Sequence, residues 1–160
     1  VLPHWLEALR GRPAEARALL ADFLELRATL AVDLLAKVAS RLGTPEFATV
    51  HAAVDAFDRC VQASAPVEEI ITRDLAVVRA LLALVPQVAF STVFNGFEAL
   101  IRTLPELQEA LYSEPTINVA GWRYTFETLG DDDLLSTLRP LLHAIDTETL
   151  DRFEKLLEVS

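Results

Sequence analysis

Apolar positions recur at three- and four-residue spacings along almost the whole chain, and the breaks in that rhythm fall at proline and glycine. The pattern predicts a short amphipathic helix from Pro3 to Arg10, ended by Gly11, with Pro13 at the first position of the next helix. From there an unbroken stripe of Leu20, Phe23, Leu24, Leu30, Ala31, Leu34, Leu35 and Val38 predicts a helix of about 28 residues that Gly43 stops. Thr44 as N-cap, with Pro45 and Glu46 behind it, starts a third helix on Phe47, Val50, Val54, Phe57 and Val61. A loop over residues 62–66 leads to a fourth helix, opened by Pro66 and broken or kinked at Pro86. A fifth segment carries Phe90, Phe94, Phe97, Leu100 and Ile101, and Pro105 and Pro115 bracket a short helical turn. Residues 117–129 form a further helix with Val119, Trp122 and Phe126 on one side. Asp131, Asp132 and Asp133 then cap the last helix, whose stripe is Leu134, Leu135, Leu138, Leu141, Leu142 and Ile145 and whose Pro140 is expected to kink it. The expected architecture is all-α: one antiparallel bundle of about seven helices, a single domain over residues 1–160, enclosing a central cavity.

Two charges interrupt these stripes. Asp74 stands on the same face as Ile70, Ile71, Val77, Val78 and Leu81, and Arg27 sits in the middle of the long second stripe. A buried charge is costly unless it is paired or meets a ligand. Either the two residues form an ion pair between neighbouring helices, or both line a ligand cavity. Arg79 falls off the strict stripe and taken alone reads as a solvated charge.

Composition narrows the classes. The chain has 160 residues, 52% of them hydrophobic, only 5 glycines, and a formal net charge of −10, which opposes contact with DNA or an anionic membrane surface. The single cysteine, Cys60, leaves no internal disulfide or cysteine cluster, and no apolar run reaches the ~18 residues of a membrane span. The expected setting is the cytoplasm. The chain begins at Val1 and contains no methionine, so part of a longer parent is expected to be missing.

No Gly-rich phosphate loop, H-E-x-x-H, G-x-S-x-G or Glu-x-x-His pair occurs, so nothing in the sequence argues for an enzyme or calls for a cofactor. His4, His51 and His143 are the only histidines.

Residues 73–100, RDLAVVRALLALVPQVAFSTVFNGFEAL, resemble the C-terminal effector domain of the FadR-like branch of the GntR-type transcription regulators. The resemblance lies in an aspartate, an arginine five residues on, a leucine two further, and Asn-Gly followed by a large apolar residue, here Asp74, Arg79, Leu81, Asn95, Gly96 and Phe97. The segment around Arg27, LLADFLELRATLA, is similar to the family's second-helix segment. Regulators of this type join an N-terminal winged helix-turn-helix to a helical effector domain, and the resemblance implies that this chain is the second half alone, that it touches DNA only through the absent first half, and that it works as a homodimer.

Most relatives hold a divalent metal with an aspartate, a histidine four residues later and two further histidines. Asp74 matches the aspartate and His143 the last histidine, but position 78 is Val78 and no histidine lies near residues 122–124. Two ligands do not hold zinc or nickel tightly, which leaves Asp74 and His143 as a weak metal pair and no expected metal. The resemblance then implies a long-chain acyl-CoA or fatty acid effector, with Phe90, Phe94, Phe97 and Phe126 around the chain and Arg27 or Arg79 at its head. The candidate effector-binding residues are Arg27, Asp74, Arg79, Phe94, Asn95, Tyr124 and His143. Each also has a plain alternative: core packing for the aromatics, solvent for Asn95 beside Ser91 and Thr92, a boundary position for Trp122 and Tyr124, and a cap or packing role for His143. Other readings are a small carboxylate effector clamped by Arg27, a TetR-type effector domain, or a ligand-free helical dimerisation scaffold.

Overall fold

A computed structural model describes residues 11–131 and 133–159. Among them are seven α-helices and no strand: α1 (Pro13–Val38), α2 (Ala48–Gln62), α3 (Val67–Leu84), α4 (Val88–Thr103), α5 (Pro105–Tyr112), α6 (Pro115–Thr128) and α7 (Leu134–Val159). The helix expected from Pro3 to Arg10, and Asp132 of the acidic cap, lie outside the described residues.

Proline, rather than a side-chain cap, starts most of these helices. Pro13, Pro105 and Pro115 open α1, α5 and α6, where a missing N–H costs nothing because the first-turn donors have no partner within the helix. Pro66 stands just before α3 and its carbonyl accepts the N–H groups of Glu69 and Ile70. Thr44 was expected to cap the next helix, but its hydroxyl donates backwards to the Arg41 carbonyl, and a 3-10 turn at Pro45–Phe47 leads into α2 instead. α1 has 26 residues and ends with its stripe at Val38, short of the stop expected at Gly43. The backbone tightens into a 3-10 turn at Ala39–Arg41, and Gly43 then reverses the chain at φ 82°, a left-handed conformation that glycine tolerates without strain.

The two largest packing interfaces are α1 with α7 and α2 with α3. Arg17 of α1 meets Asp151 and Glu154 near the end of α7, at 2.7 and 3.0 Å, while Arg139 near its start meets Glu25 at 3.4 Å, so the two long helices run antiparallel. α7 runs on through Pro140, burying Leu138, Leu150, Phe153 and Leu157. Phe57 of α2 and Ile71, Val77 and Leu81 of α3 are almost fully buried where the second pair meets. α4, α5 and α6 close the bundle, with α5 packed on α7 and α6 on α2. No helix of the described residues is long and apolar enough to cross a membrane.

Candidate functional site

The stripes of six helices leave a cavity of about 170 Å³ between them, bounded by α1, α3, α4, α5, α6 and one residue of α7, Leu142. α4 contributes Phe90, Phe94 and Phe97 at four- and three-residue spacings, which puts all three rings on one wall. Leu34 and Leu35 of α1, and Val78 and Leu81 of α3, supply aliphatic surface. The only charged side chains lining the cavity among the described residues are Arg27 and Asp74.

Asp74 is held by two neutral donors. The Tyr112 hydroxyl donates to Oδ2 at 2.8 Å and the Trp122 indole N–H donates to Oδ1 at 2.6 Å. The carboxyl therefore joins α3, α5 and α6 at one point. Asp74 keeps some accessible surface because it borders the cavity, while the surrounding protein withdraws it from bulk water. Burial pushes its pKa up from the usual carboxylate range, against the two hydrogen bonds and the charge of Arg27, which favour the ionised form. Burial and the neighbouring Asp74 charge likewise raise the Tyr112 phenol well above its ordinary value, which keeps it a donor.

Arg27 does not bond Asp74. Its guanidinium donates to Asp146 of α7 at 2.5 Å and stands over the Phe97 ring, 5.6 Å from the centroid. Asp146 is buried, and desolvation raises its pKa while the Arg27 charge and hydrogen bond oppose the rise. Asp146 also lines a surface groove with Glu25, Arg139 and His143. The Arg27–Asp146 pair thus stands as the partition between the inner cavity and that groove.

The candidates from the sequence divide. Arg27, Asp74 and Phe94 line the cavity together. Arg79 is on the outside: its side chain is about half exposed, it pairs with Glu98, and it covers Phe94 from 5.7 Å. Asn95 and Tyr124 are exposed and outside the lining, and His143 borders the groove rather than the cavity. Phe126 is buried behind the wall, stacked on Trp122 with ring centroids 5.6 Å apart. Among the described residues no group of three or more His, Cys, Asp or Glu is placed to hold a metal ion, and Asp74 and His143 border different spaces.

No family model, curated protein or solved structure matches the chain. The resemblance to the GntR-type effector domains rests on the residues quoted above and on nothing else.

Three residues of the site lay beyond the pattern. Tyr112 closes a short helix with no stripe to place it, and Trp122 read as a boundary residue although it shares a side with Val119 and Phe126. Asp146 carried a usable signal. It stands four residues after Leu142, four before Leu150 and seven before Phe153, so continuing the last stripe past Ile145 would have marked it as a third in-stripe charge.

Proposed function

We propose that this chain is a ligand-sensing helical domain that takes a small amphipathic molecule into the cavity, apolar body against the α4 phenylalanines and polar head at Asp74. The observation that carries this reading is a mostly apolar space with one carboxylate turned into it. A carboxylate offers about four acceptor positions, and Tyr112 and Trp122 occupy one on each oxygen. The remaining capacity suits a ligand head.

Volume favours a small effector over an acyl-CoA. Drug-sized ligands occupy pockets of about 300–1,000 Å³, whereas an apolar cavity of about 150 Å³ takes benzene. A space of about 170 Å³ suits a body of roughly that size. The regulator reading is kept on the resemblance of Asp74, Arg79, Asn95 and Phe97 to the GntR-type effector domains. In a homodimeric regulator of that type, a molecule bound among six helices favours one arrangement of the bundle and so changes the placing of attached DNA-binding heads.

Melting the protein with straight-chain alcohols of increasing length tests the size claim without engaging charge, since a molecule that binds only the native state raises the melting temperature. Stabilisation should rise with chain length, peak at about six to eight carbons and then fall. Ala31→Phe, which projects a ring into the cavity from α1, should abolish it. Equal responses of wild type and Ala31→Phe, or no response at any length, would leave a ligand-free scaffold as the better reading.

A further inference from the structure

Arg27 and Asp74 give the cavity wall one cation and one anion, yet the two are not equally available. Arg27 is engaged by Asp146 at 2.5 Å, so its charge is already balanced by a buried carboxylate. Asp74 receives only the neutral donors Tyr112 and Trp122. Arg27, Asp146 and Asp74 together therefore carry one net negative charge when ionised, and the carboxylate without a directly bonded cation is the one beside the apolar space.

We propose, resting on the ligand-sensing reading above, that the cavity selects a small primary amine whose ammonium head is the counter-ion of Asp74. An ammonium brings three donors and no acceptor, which fits a carboxylate with free acceptor positions in a site of low dielectric. Tyr112, Trp122 and Phe94 line the same space, and an aromatic face presented there would add to the attraction of an organic cation. A carboxylate ligand of the same size would meet Asp74 as a like charge, and at Arg27 it would share a cation that the buried Asp146 already balances. A neutral alcohol fills the space but leaves the Asp74 charge unbalanced. The overall charge of −10 also favours the approach of a cation.

Benzylamine, benzyl alcohol and benzoate form a near-isosteric set differing in head charge, and their affinities can be measured by calorimetry in about 0.15 M salt, where diffuse attraction is screened. Benzylamine should bind about tenfold or more tighter than benzyl alcohol, with benzoate weakest. In Asp74→Asn the advantage of the amine should vanish while benzyl alcohol still binds. Benzoate binding as tightly as benzylamine, or an amine preference that survives Asp74→Asn, would overturn the proposal. Binding of benzyl alcohol without an amine preference defeats this inference alone, whereas failure of all three to bind defeats the ligand-sensing reading with it. If Asp74→Asn does not fold, the wild-type ranking decides.

Discussion

Asp74 carries a testable sign in its pH dependence. Its pKa is raised in the folded protein above the ordinary 3.8, chiefly by burial. The native state therefore binds the proton more readily than the unfolded chain does, and stability from this group is greatest below the unfolded value and is lost as pH rises through the folded one. Asparagine has no charge to desolvate. In melts from about pH 3 to pH 7, wild type should lose stability relative to Asp74→Asn as pH increases, with the change lying above the ordinary carboxylate value. A difference that stays constant would mean that the hydrogen bonds from Tyr112 and Trp122 offset desolvation, and one that moves in the opposite direction that they outweigh it. At this scale the sequence was informative about which residue was unusual and silent about its partners. Asp74 and Arg27 stood out because charge breaks an apolar period, whereas Tyr112 and Trp122 reach Asp74 from helices far along the chain, and no local pattern encodes that meeting.

Between elements, the α1–α7 interface carries two arginines in different settings. Arg17 pairs with Asp151 and Glu154 at the surface, where its side chain and both partners keep about a third or more of their exposure. Arg27 pairs with Asp146, whose side chain is only 9% exposed. Arg17→Ala should therefore cost no more than about 1 kcal/mol. Arg27→Ala leaves a buried carboxylate without its partner and should cost more, towards the lower end of the about 3–5 kcal/mol seen when one member of a buried pair is removed, because Arg27 itself is partly exposed. Denaturant unfolding of both variants gives the comparison, and an Arg27→Met, Asp146→Leu pair should recover much of the loss. Costs that are equal for the two arginines would contradict the account. Helices were the most legible level of the structure: five of the seven described were expected within a few residues from apolar period and proline alone, the last was expected from Leu134 but runs well past the Ile145 end of its stripe, and the short α5 appeared as a bracketed turn. Their ends were less so. The 3-10 turns at Ala39–Arg41 and Pro45–Phe47 depend on Ser40 and Thr44 hydroxyls bonding back to carbonyls, a choice the sequence shares with ordinary capping.

For the molecule as a whole, the all-α architecture follows from periodicity, but the size of the cavity does not. The same stripe of Phe90, Phe94 and Phe97 would serve a filled core or a long lipid channel, and only the way Phe126 packs behind Trp122 and the neighbouring leucines close in sets the space at about 170 Å³. Exposure of Asn95 and Tyr124, and the pairing of Arg79 with Glu98 outside the wall, are likewise outcomes of helix rotation that a few tens of degrees would reverse. The central claim is that a small molecule enters this space and meets the Asp74 end of it. The chain has two tryptophans, and the indole N–H of one of them, Trp122, donates to Asp74. Nuclear magnetic resonance of the two indole N–H signals during titration with benzyl alcohol reads the site directly, with Trp122→Phe assigning the peak. The account predicts a saturable shift of the Trp122 signal, lost when Ala31→Phe fills the cavity; a Trp122 signal that stays fixed, or moves equally in the filled variant, would contradict it.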